Sequence, residues 1–66
     1  MTIFEVRERV EKIKALANDP EAAHSREDDL YFDVLRTIAD GETDDPAGLA
    51  AEALKTLGID FDRWCG

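Results

Sequence analysis

His24 is the only histidine in the chain, and carboxylates flank it at helical spacing. Glu21 lies three residues before it, and Glu27 and Asp28 lie three and four after. On one helix surface all of them can approach the imidazole. A Glu-x-x-His pair is half of the pattern by which carboxylate-rich bundles hold two metal ions. The other half, more carboxylates and a second histidine on facing helices, would have to come from a second copy in a symmetric dimer. The simpler expectation is a solvated helix end with an i,i+4 His24–Asp28 contact, so no metal and no cofactor is assigned. Cys65 is the sole cysteine. A nucleophile needs a positioned base, and neither a histidine nor another cysteine is near Cys65 in sequence, so it reads as a small apolar residue beside Trp64. There is no Ser-His-Asp arrangement, Gly-rich phosphate loop or zinc spacing, and no catalytic residue is named.

A denser run of carboxylates follows in Glu27-Asp28-Asp29-Leu30-Tyr31-Phe32-Asp33-Val34-Leu35. Asp29 and Asp33 share a helix face. Acidic pairs on helices can hold Mg²⁺ against a diphosphate. The stretch Asp29…Asp33-Val34-Leu35 resembles the second acidic motif of helical nucleotide pyrophosphatases of the MazG type, and Glu5-x-x-Glu8 or Glu8-x-x-Glu11 resembles the first. That resemblance implies a Mg²⁺-dependent nucleotide pyrophosphatase as a lesser expectation. The spacing departs from Glu-x-x-Asp, and Glu5, Glu8 and Glu11 each have a basic i,i+4 neighbour.

These residues need elements to position them. Thr2 with Glu5 is a capping-box pattern, and Ile3, Val6, Val10, Ile13 and Ala17 recur at 3, 4, 3 and 4, one narrow helical stripe. Glu5/Arg9, Arg7/Glu11 and Glu8/Lys12 are opposite charges at i,i+4. A helix is predicted over about 3–18, ended by Asn18-Asp19-Pro20 because the residue before a proline leaves the helical region. Asp19-Pro20 caps and starts a second helix over 20–40, closed at Gly41. Its first part, 21–29, is polar and is expected to fray or protrude. Its second part has Leu30, Val34 and Ile38 in one row, with Tyr31 and Leu35 beside it. Asp45-Pro46 starts a third helix over 46–57 with an apolar face of Leu49, Ala50, Ala53, Leu54 and Leu57, and Gly58 stops it. The tail, 59–66, is expected to lay Ile59, Phe61 and Trp64 across the end of the bundle in extended or 3₁₀ form. Residues 1–66 thus read as one all-α domain, a small three-helix bundle with an aromatic C-terminal tail packed on it and antiparallel sequential neighbours.

Sixty-six residues leave room for one small core, so a self-associated or partner-bound form, including a homo-oligomer, is an expectation. Eight Lys and Arg stand against sixteen Asp and Glu, for a net charge of −8. That balance argues against direct binding of nucleic acid or of an anionic membrane. The charge is uneven: residues 1–18 carry +1, residues 19–45 carry −8 and residues 46–66 carry −1. One cysteine cannot close an internal disulfide, and because Glu5 and Arg7 interrupt the apolar residues of Met1-Thr2-Ile3-Phe4-Glu5-Val6-Arg7, neither a secretory signal nor a membrane anchor is expected there. A cytoplasmic location in a bacterial host is the expectation.

Two aromatics fall off their stripes. Phe4 lies roughly 160° and Phe32 roughly 130° from the centre of its own stripe at ~100° per residue. Either the tail or the third helix covers Phe32, or it is an exposed aromatic within an acidic rim, a form suited to anchoring a partner. The candidate partner surface is Asp28, Asp29, Phe32, Asp33 and Arg36.

The run Leu30-Tyr31-Phe32-Asp33-Val34-Leu35-Arg36-Thr37-Ile38-Ala39-Asp40-Gly41, with Ala53-Leu54-Lys55-Thr56-Leu57 and the ending Ile59-Asp60-Phe61-Asp62-Arg63-Trp64-Cys65, resembles short proteins of actinobacteriophages and actinobacterial genomes. The group carries no assigned activity, so the resemblance implies a setting and no site residue: a small protein made inside a bacterial host. The leading expectation is a non-enzymatic acidic module that binds a host protein. The alternative is a DNA mimic whose carboxylates stand in for phosphates and occupy a nucleic-acid-binding protein.

Overall fold

Side-chain caps set where the helices begin. The computed structural model describes residues 1–63, and in it Thr2 Oγ1 accepts from Glu5 N at 3.2 Å, Asp19 Oδ1 from Ala22 N at 3.4 Å and Asp45 Oδ1 from Gly48 N at 2.9 Å. Each bond satisfies a backbone N–H that a helix start leaves orphaned. The helices that follow are α1 (Ile3–Ala15), α2 (Pro20–Ala39) and α3 (Pro46–Ala53), and a 3₁₀ turn at Leu54–Gly58 continues α3. No strand occurs among the described residues. Expectations placed on Trp64 and Cys65 lie outside them.

Two ends differ from expectation. The first helix stops at Ala15, where Leu16 N–H bonds to Ile13 O at 3.0 Å in a tightening last turn. The third tightens at Leu54 from α to 3₁₀ geometry, which rotates Leu54 and Leu57 off the line an α-helix would give them. The second helix ends as read: Gly41 takes φ 68°, Gly41 N–H bonds to Ile38 O at 3.1 Å and Glu42 N–H to Thr37 O at 3.0 Å. This is a Schellman closure, which needs a left-handed residue and so favours glycine.

Each helix packs on the other two. Arg9 meets Asp33, while Lys12, Ala15 and Leu16 lie against Arg26, so α1 and α2 run antiparallel. Tyr31 meets Thr56 while Val34 and Leu35 face Ala50 and Ala53, so α2 and α3 are antiparallel too. The core is Val6, Ile13, Ala23, Leu30, Val34, Leu49, Ala53 and Phe61. Ala23 is fully buried, so the polar first half of α2 is held in the bundle and neither frays nor protrudes. Charge cross-links the helices: Arg9 Nη1 reaches Asp33 on α2 at 2.7 Å and Arg7 Nε reaches Glu52 on α3 at 2.8 Å. Arg7 and Arg9, which have acidic neighbours at i,i+4 within α1, instead pair with the other two helices.

The α3 cap depends on Gly48 as well as Asp45, because a Cβ at Gly48 would run into the Asp45 carboxylate. Asp45→Ala is expected to destabilise the domain by about 1 kcal/mol, measured as a lower urea midpoint with an unchanged slope.

No helix among the described residues is long and apolar enough to cross a membrane.

Candidate functional site

The α3 segment Pro46–Ala53 has alanine at 47, 50, 51 and 53. Small side chains cannot fill the space between α3 and α2, and a groove of about 300 Å³ opens there. Tyr31, Val34 and Leu35 of α2 line one wall, and Ala50, Ala53 and Leu54 line the other. Leu35 is 67% exposed and Leu54 53% exposed, so two large aliphatic side chains stand as the lips of the groove. Leu57, in the 3₁₀ turn, is 64% exposed. Periodicity places Leu35 beside the row of Leu30, Val34 and Ile38, and Leu54 and Leu57 on the apolar face of the third helix; the structure leaves all three largely in water. At ~100° per residue Leu35 sits a quarter-turn past Val34, and the alanines opposite are too short to cover it.

Beneath one end of this groove is a buried polar junction. Glu27 is only 3% exposed. Arg63 donates to both of its carboxylate oxygens, Nε to Oε1 at 3.0 Å and Nη2 to Oε2 at 2.9 Å, in a forked pair. The same guanidinium donates to the carbonyls of Thr56 at 3.0 Å, Phe61 at 3.3 Å and Ile59 at 3.4 Å, and lies 3.9 Å over the Phe61 ring. Arg63 thereby fastens the extended segment after Gly58 to α2 and holds Phe61 in the core. The Thr56 hydroxyl is shared with Tyr31 Oη, whose ring lines the groove. Burial pushes the Glu27 carboxyl up. Hydrogen bonds from Arg63 and Thr56, with the charges of Arg63 and His24, outweigh that and hold it below the ordinary carboxylate range. Glu52 is held low as well, by hydrogen bonds from Lys55 and then Arg7.

Glu27, expected on a solvated helix end beside His24, is instead buried against Arg63, a residue to which no sequence pattern gives a role. A signal for Glu27 was present: Ala23, Glu27, Leu30 and Val34 step by 4, 3 and 4, so the carboxylate occupies a core position. No local pattern connects it to an arginine thirty-six residues away.

The candidate surface residues divide around α2. Phe32 is 53% exposed on the outer face. Asp28, on the Leu35 side, faces His24 Nε2 at 3.6 Å, the i,i+4 contact expected there. Asp33 turns toward α1 to meet Arg9, and Asp29 lines a notch with Arg9, Lys12 and Arg26 on that same side. Arg36 lies 3.9 Å from Asp40. The structure thus brings Asp28 and Phe32 to the Leu35 side, and Asp29 and Asp33 to the α1 side. Glu8 and Glu11 lie with Arg7 and Lys12 around the 75%-exposed Phe4. Among the described residues no three His, Cys, Asp or Glu side chains converge as a metal would require.

No family model, curated protein or solved structure matches the chain.

Proposed function

We propose that this chain is a non-enzymatic, acidic protein-interaction module, phage-encoded or phage-derived, that acts on a protein of the bacterial host in whose cytoplasm it is made. One observation carries the reading. The groove of Tyr31, Val34, Leu35, Ala50, Ala53 and Leu54, together with the exposed Phe32 and Leu57, leaves large apolar side chains in water on a domain whose own core is small. Such a strip costs a solvated monomer free energy that a partner's surface recovers. The DNA-mimic alternative draws less support, because two of the carboxylates it would present are already paired with bases: Glu27 is buried against Arg63, and the half-exposed Asp33 is bonded to Arg9. The pyrophosphatase alternative would need its two acidic stretches to converge, and Asp29 and Asp33 face Arg9 instead.

A photo-crosslinking residue placed at Leu35 or at Phe32 tests the module. In actinobacterial lysate both positions are expected to yield the same discrete protein adduct, absent when the residue is placed at Glu8 on α1. Adduct patterns that do not differ between the three positions would sink the proposal. A Mg²⁺-dependent release of pyrophosphate from deoxynucleoside triphosphates would replace it with the enzyme.

A further inference from the structure

We infer that the α2–α3 groove receives an amphipathic helix of a protein partner, with an aliphatic stripe flanked by lysine and arginine. This rests on the interaction-module reading and names the chemistry of its partner. The groove wall carries no charged side chain, and the charge around it is mainly acidic, with Arg36 beside Leu35 set against Asp40 and His24 against Asp28. Asp28 lies on the Leu35 face of α2, two turns before Leu35. The connection that closes the other end of the groove holds the exposed Glu42, Asp44 and Asp45. The outward flank of α3 is Ala47, Ala51 and Leu54.

Most of the bases are elsewhere. Arg7, Arg9, Lys12 and Lys14 belong to α1, and Arg26 and Lys55 lie against it. Arg36 faces Asp40 and Arg63 is bound to Glu27. Most of the bases therefore lie on or against α1, and the fringe around the apolar groove is net acidic.

That pattern selects the occupant. A second copy docked groove to groove would bring two acidic fringes together, which is unfavourable at short range. A helix with leucine-sized side chains at i, i+3, i+4 and i+7 fits the apolar hollow, and basic flanks complement its fringe. Groove shape supplies most of the affinity, and the fringe supplies the choice of partner.

Two synthetic helical peptides test this. Both carry that leucine stripe; one has lysines on its remaining faces and the other has glutamates. The lysine peptide is expected to bind at least about tenfold more tightly, with amide chemical-shift changes confined to residues around Tyr31, Leu35, Ala50 and Leu54. Leu35→Ser and Leu54→Ser, both at exposed positions, are each expected to weaken it about tenfold without unfolding the domain, while Glu8→Gln on α1 leaves it unchanged. Raising salt from about 50 to about 500 mM should narrow the preference for lysine. Equal binding of the two peptides at the groove would overturn the basic partner and leave the interaction module standing. Shift changes mapping outside the groove, or an unaffected Leu35→Ser, would overturn the groove as the site. Concentration-dependent shifts at the same residues in the protein alone would make the occupant a second copy. No binding of either peptide, together with no groove-specific crosslink, would remove both readings.

Discussion

Arg63→Ala is expected to lower the melting temperature by about 10–20 °C at neutral pH. The substitution leaves the Glu27 carboxylate buried without its partner, and breaking a buried pair costs more than the pair is worth. Arg63 itself is partly exposed, so the loss falls at about 2–3 kcal/mol, and a domain of this size shifts by about 4–8 °C per kcal/mol. The arginine also holds three backbone carbonyls and the Phe61 ring, so the segment after Gly58 loosens with it. Arg63→Lys is expected to recover only part of the loss, because one ammonium cannot reproduce the forked pair and the carbonyl contacts together.

The pH dependence separates the ion pair from simple packing. Glu27 has a carboxyl pKa in the folded chain below its ordinary value of 4.5. A depressed carboxyl contributes stability that is fully present above the unfolded pKa and is lost as pH falls through the folded one. Thermal melts should therefore show stability falling on the acid side of pH 4.5. The gap between the native chain and Arg63→Ala should narrow over the same range, since a protonated Glu27 no longer needs the guanidinium. Glu27→Gln should make the acid limb shallower, leaving the part that the depressed Glu52 contributes. A gap that stays constant down to about pH 3 would mean that Arg63 acts through packing on Phe61 and not through the carboxylate.

Leu30→Ala should remove about 3–4 kcal/mol, enough to unfold much of a domain this small at room temperature. Leu30 is fully buried among the three helices, so the deletion leaves a cavity in addition to the lost transfer energy. Leu35→Ala, five residues on, should change stability by no more than about 0.5 kcal/mol. Urea unfolding of the two variants makes the comparison. Similar losses from both would show that Leu35 is covered in solution, and therefore that the groove is already occupied.

Those two leucines mark how far the sequence could be read. The three helix starts were legible because a cap is local: Thr2, Asp19 and Asp45 each reach a backbone N–H three residues ahead. Gly41 was legible as a stop for the same reason. The buried row of α2 followed from its 3.6-residue period, and so did the all-α class. The groove was not legible, because periodicity places Leu35 and Leu54 on apolar stripes without saying how wide the facing element is. Only the packed structure shows that alanines at 50 and 53 leave their sides open.

The polar junction lay further from reach. Glu27 stood on a core register, yet a carboxylate there reads as an error in the pattern until its counter-charge is found. That counter-charge comes from Arg63, brought in only after the chain has turned twice and Phe61 has entered the core. The α1 bases show the same limit: Arg7 and Arg9 have acidic neighbours at i,i+4, but tertiary packing offers Glu52 and Asp33, and those pairs form. Sequence alone determined the helices, their order and the net negative charge, since caps, periods and charge counts are set by near neighbours. The tertiary structure decided which apolar side chains stay in water, which carboxylate is buried and where the positive charge collects, because each of these depends on what a distant segment places opposite.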